Sequence, residues 1–107
     1  MIVISRLIFG REFVALAFWP FIILREGHLK TNKVLLNHEK IHLRQQAELL
    51  VLPFYLIYLS EWFIRCLIYW DRKKAYRNIS FEREAFYNEE NLQYLPSRNS
   101  FSFIKYF

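Results

Sequence analysis

The segment His38-Glu39-Lys40-Ile41-His42 constrains this chain more than any other. It sits in a stretch of helical period, in which Val34, Leu35, His38, His42, Gln45 and Leu49 share one face. Residues four apart on a helix are neighbours, so the two imidazoles can approach one metal ion from the same side. Glu39 lies on the flank of that face, where a carboxylate can take a proton from water. Such a segment has to be helical. It also needs a second element packed across it, because two histidines rarely hold a catalytic metal without a third protein ligand.

Three residues can offer that ligand: His28, Glu82 and Glu84. His28 lies ten residues before His38 in a predicted loop and would need a tight return. The two glutamates come about forty residues downstream, on a separate predicted helix that can pack across the first. By the residues alone Glu82 and Glu84 are equal candidates, since a glutamate in a first helical turn also complements the helix dipole.

The layout leaves room for one domain over residues 1–107. The chain is 54% hydrophobic and 20% aromatic with only two glycines, which argues against disorder. Residues 2–8 and 13–25 read as extended segments joined by a turn at Gly10, and Pro20 suits an edge strand because it lacks a backbone donor. Thr31 or Asn32 can cap the motif helix, and Pro53 should kink or end it. A second helix is predicted from Tyr55 to Trp70, a basic connector over 71–77, and a third helix over 80–91 with Asn78 or Ser80 as cap. The tail from Tyr94 to Phe107 reads as coil or a short strand. The expected class is α+β, with a small antiparallel N-terminal sheet or hairpin packed on about three helices.

Together, Asn37-His38-Glu39-Lys40-Ile41-His42 and Phe81-Glu82-Arg83-Glu84-Ala85 resemble the gluzincin metallopeptidases. In several of those families the third ligand opens a Glu-x-x-Ala-Asp motif on a downstream helix. The resemblance therefore implies Zn²⁺ held by His38, His42 and Glu82, with Glu84 as the alternative ligand and Glu39 as the catalytic base. The pattern departs at Phe86, where those families carry an Asp that supports a histidine ligand. Either another acceptor does that job or the site is weakened. The stretch Trp19-Pro20-Phe21-Ile22-Ile23-Leu24-Arg25 is similar to the edge strand that small gluzincins place beside the active site, so an extended peptide is expected to pair along Pro20 to Arg25. The size is similar to that of the single-domain minigluzincins, a zincin-like fold. Gln45, one turn after His42, is expected in the shell of the site. Tyr76, Tyr94 and Arg98 are the only candidate oxyanion donors from the second half of the chain; otherwise the tyrosines pack and Arg98 is solvated.

The remaining features set the surroundings. Cys66 is the only cysteine, which excludes a disulfide framework and a cysteine metal site. The net charge of +5 is scattered, and no recognition motif accompanies the basic run at 71–77, so no nucleic-acid partner is expected. The N-terminal apolar residues are interrupted by Arg6, Arg11 and Glu12 without a small-residue cleavage site, so a cytoplasmic location is expected. The apolar segment 49–70 contains Pro53, Glu61 and Arg65, and a single span there would part the histidines from Glu82. Peripheral contact with a membrane through this segment is the remaining membrane reading. The expected function is zinc-dependent hydrolysis of a peptide or protein substrate. The alternative is a catalytically inactive zinc-binding or membrane-surface interaction module.

Overall fold

The segment 14–25 does not run as one extended strand. In the computed structural model, which describes residues 2–5 and 14–107, it folds into a hairpin. Strand β2 (Ala15–Phe18) turns through the cis Trp19–Pro20 bond into β3 (Phe21–Leu24). Pro20 thus occupies the turn, where a missing N–H costs nothing. Strand β1 (Ile2–Ile4) joins the other side of β3 in parallel, so the sheet is mixed rather than antiparallel, with order β1-β3-β2. The expected turn at Gly10 lies outside the described residues. One consequence corrects the substrate-strand expectation. Phe21, Ile22, Ile23 and Leu24 form the central strand, hydrogen-bonded on both sides, and Arg25 still donates its N–H to the Val14 carbonyl at 2.8 Å. No peptide can pair along Pro20 to Arg25; among the described residues, β1 and β2 are the strands paired on one side only, and β2 is the one beside the motif helix.

The helices follow in five pieces. Gly27–Thr31 forms a 3-10 turn, and Asn32 caps α1 (Lys33–Leu49) by accepting from the Leu35 N–H at 3.1 Å. Leu50, with φ 68° and ψ 155°, breaks the chain between α1 and α2 (Val51–Tyr69). Pro53 therefore falls in the first turn of α2, where a missing donor is tolerated, and does not end α1 itself. The basic connector is helical: α3 (Arg72–Arg77) is capped by Asp71, whose carboxylate accepts from the Lys73 and Lys74 N–H groups. Helix α4 (Ser80–Asn88) has no local side-chain cap from Asn78 or Ser80. Glu61 reaches across from α2 instead, its Oε2 accepting from both the N–H and the Oγ of Ser80 at 2.8 Å. A carboxylate there also complements the positive end of the helix dipole. The tail forms a short helix α5 (Tyr94–Ser97) and a 3-10 turn (Ser102–Tyr106) rather than a strand.

The fold is α+β, as expected. Its core is aromatic, with Phe54, Ile79, Phe81 and Phe103 packed together and Tyr58, Trp62 and Tyr76 around them. Phe81 is central: its ring lies 4.5 Å from that of Phe54 and 5.0 Å from that of Phe103. It thereby fixes α4 against both α2 and the tail. Ile22, Leu24 and Ala17 close the sheet's inner face over α1. Replacing Phe81 with Ala is expected to cost about 3–5 kcal/mol of stability, measured by urea unfolding, through lost burial and the cavity left behind.

Candidate metal centre

Helices α1 and α4 bring the two motifs into register. His38 and His42 stand one turn apart on α1, and both Nε2 atoms lie 3.0 Å from the same atom, Oε1 of Glu82 in the first turn of α4. The ligating atoms of these three buried residues all lie within 4.8 Å of one another and can hold a metal ion. The other ring nitrogens are already engaged. His38 Nδ1 lies 2.7 Å from Oε2 of Glu89, and His42 Nδ1 lies 2.8 Å from Oε1 of Gln45. Carboxylate and amide oxygens only accept, so each Nδ1 carries a proton, and an imidazole with no second proton turns an Nε2 lone pair toward Glu82. Three electron-pair donors facing one point in a buried site repel one another unless a cation lies among them. The spacing is close to the roughly 3.3 Å expected between ligands of a tetrahedral ion with bonds near 2.0–2.1 Å.

Without a metal, protons serve as the cation. Burial alone would lower the pKa of His42, yet the Glu82 carboxylate and its hydrogen bond push it up to about 9. Burial would raise that of Glu82, but His42 and His38 hold it well below the carboxylate range. Glu39 is different. Burial is the largest influence on it and raises its pKa, which the two histidines only partly offset. It flanks the cluster and lines a cavity of about 100 Å³ together with Ala15, Ala17, His42, Tyr58, Tyr76 and Glu82. A second, open groove continues from His38 and Glu39 to Lys73, Tyr76 and Arg77.

The structure separates the other sequence candidates. Glu84 is not in the cluster: its carboxylate accepts from Arg98, Tyr94 and Gln45, and Arg98 also forms a two-pronged pair with Glu48. These bonds outweigh burial and hold Glu84 below its ordinary pKa. Tyr94 and Arg98 are therefore supports of the site, committed to Glu84 and lining neither cavity beside Glu39, and Arg98 is buried rather than solvated. Their support reaches His42 through Gln45, whose Nε2 donates to Glu84 and to the Phe81 carbonyl while its Oε1 accepts from His42. Gln45 thus sits in the shell, as expected. Tyr76 lines both cavities beside Glu39, and burial together with Glu82 raises its pKa, so it remains a protonated donor. His28 is exposed in the 3-10 turn, 3.4 Å from Glu26, away from the cluster.

Four supports were not expected. Glu89, just past the end of α4, supplies the acid missing at position 86. It lies seven residues after Glu82, two helical turns along the same face, a spacing that could have signalled it. Phe86 packs its ring edge-on against His38 at 4.5 Å. Tyr58 donates to the second oxygen of Glu82 at 2.6 Å. Asn37 ties the end of α4 to α1 through bonds to the carbonyls of Asn88, Glu89 and Asn91. No protein-family model, curated protein or solved structure matches the chain.

Two outcomes follow for this centre. Glu89→Gln is expected to weaken metal affinity about 10- to 100-fold by calorimetric titration, with the fold unchanged by circular dichroism. In metal-free protein, protonated His42 stabilises the fold fully below its unfolded pKa near 6.5. That contribution is lost as the pH rises through about 9, so thermal melts should fall across this window and flatten in His42→Asn.

Proposed function

We propose that this protein is a zinc-dependent peptidase of gluzincin type. The observation that carries the reading is the convergence of both Nε2 atoms on Glu82 Oε1, with Glu39 and an edge strand beside it. Two neutral imidazoles and one carboxylate form a donor set suited to Zn²⁺, and a fourth position is left for water. A bound zinc ion supplies Lewis acidity, acidifying water and polarising a carbonyl.

The chain's own groups do the rest. Glu39 takes the proton of the attacking water on its carboxylate and delivers it to the leaving amine. Its raised pKa makes it the stronger base and so favours the first transfer. Tyr76, at the cavity wall with its hydroxyl bonded to Glu82, is the one of the three expected donors that lies beside Glu39, and we assign it to the developing oxyanion. The peptide lies along the outer edge of β2. In the β2–β3 register the backbones of Ala15 and Ala17 face that edge. The Ala17 carbonyl is taken by Gln46 Nε2 at 2.9 Å and by the Tyr55 hydroxyl at 2.6 Å, which leaves Ala15, beside Glu39, to pair with the substrate.

A second reading is a zinc-holding module without catalysis. The commitment of Tyr94 and Arg98 to Glu84 favours it, because two of the three expected oxyanion donors are thereby removed.

Purified protein should contain about one zinc per chain by elemental analysis, lost in His38→Ala; a wild type that binds no zinc overturns both readings. Glu39→Gln should keep its zinc and lose about 10²- to 10⁴-fold in turnover of a quenched-fluorescence peptide library. Full zinc with no turnover in the wild type assigns the second reading.

A further inference from the structure

We propose that the outward side of α2 is a docking surface for an anionic lipid bilayer, lying along it with the rest of the protein above. This rests on the exposed faces of α2 and α3 and on where the acidic side chains are buried, and does not depend on whether the centre holds a metal. Helix α2 is long and apolar enough to cross a membrane, yet only Phe54 among its residues is fully buried. At 100° per residue, its exposed side chains fall within about 180° of the helix circumference. That arc carries Leu52, Leu56, Leu59, Phe63, Leu67 and Ile68, each more than half exposed. Its two charged residues, Glu61 and Arg65, fall on the other half, where Glu61 is committed to Ser80. The usual amphipathic order is thus inverted, with charge inward and a charge-free apolar band outward.

The geometry favours lying on the bilayer over crossing it. One side of α2 packs against α1, α3 and α4, and α1 and α4 carry the buried polar cluster, so lipid can reach one side only. A helix with one apolar side rests in the interface with that side in the acyl boundary. At about 28 Å long, it presents a band far larger than the scattered apolar residues of an ordinary surface.

The flank identifies the partner's charge. Trp70, 87% exposed, ends the band, and the exposed basic residues Arg72, Lys73, Lys74 and Arg77 begin two residues later. An interfacial tryptophan followed by basic side chains matches the headgroup region of an anionic leaflet. Meanwhile Glu39, Glu48, Glu61, Glu82, Glu84 and Glu89 are turned into the site and its supports, so the exterior is more basic than the net charge of +5. A second copy fits less well. In a two-fold pairing of antiparallel α2 helices, each basic segment would meet the partner's α2 start, where the nearest acid in sequence, Glu48, is already bound to Arg98.

The test is co-sedimentation of the full-length protein with vesicles of phosphatidylcholine alone or with added phosphatidylglycerol. Wild type should pellet with the anionic vesicles, less so with the neutral ones, and progressively less as salt is raised. The double variant Leu56→Glu, Phe63→Glu should bind more than about tenfold more weakly while melting like wild type, since both sites are exposed. The double variant Lys73→Glu, Lys74→Glu should lose the preference for anionic vesicles. Wild type that stays in the supernatant with both vesicle types overturns the proposal. So does a lipid-free wild-type dimer that the Leu56→Glu, Phe63→Glu variant splits into monomers, which would assign the band to a second copy.

Discussion

A single buried carboxylate oxygen, Oε1 of Glu82, faces two histidine nitrogens at 3.0 Å, and much of the helical packing exists to keep it there. A buried charge is tolerable only when it is paired and hydrogen-bonded from every side. Glu82 meets that condition with the histidines on one oxygen and Tyr58 on the other. Each partner is held in turn by something else: His38 by Glu89, His42 by Gln45, Gln45 by Glu84, and Glu84 by Arg98. The network links α1, α2, α4 and the tail through polar contacts, while Phe54, Phe81 and Phe103 link much the same elements through apolar ones. The two systems meet at Phe81, whose ring is in the core and whose carbonyl accepts from Gln45.

What could be read from the sequence was local. Four-residue spacing on a helix places His38 and His42, and the apolar period places α1 and α4, because both follow from helical geometry alone. Asn32 declares its cap through a side chain acting three residues away. Harder to read were partners set by packing. Glu84 and Glu82 are chemically identical and two residues apart, so only the fold decides which meets the histidines and which meets Arg98. Arg98 and Glu48 are fifty residues apart, and no periodicity connects them. The strand order was hidden for a similar reason: nothing in Phe21 to Leu24 distinguishes a central strand from an edge until β1 pairs with it.

Helix α2 serves two environments at once. Its inner side offers Tyr55 to the sheet, Tyr58 to the metal centre and Glu61 to the start of α4. The first of these polar groups finds its partner on β2 and the other two on α4, so the helix acts as a spine against which both are set. Its composition, mostly apolar with few charges, looks like that of a spanning segment because averaging over the helix hides which side each charge takes.

Arg98 lies well beyond the last ligand, and that distance matters for how the site comes into being. A nascent chain that has emerged through Glu89 already contains every ligand and both histidine supports. It still lacks the guanidinium that pulls Glu84 aside and steadies Gln45 behind His42. Of the partners that hold Glu84 away from the imidazoles, such a chain supplies Gln45 alone, since Tyr94 and Arg98 both lie in the tail. The residues that set the two carboxylates apart therefore reach to Arg98, which touches neither histidine, and the unit that builds this cluster is larger than its two motifs imply.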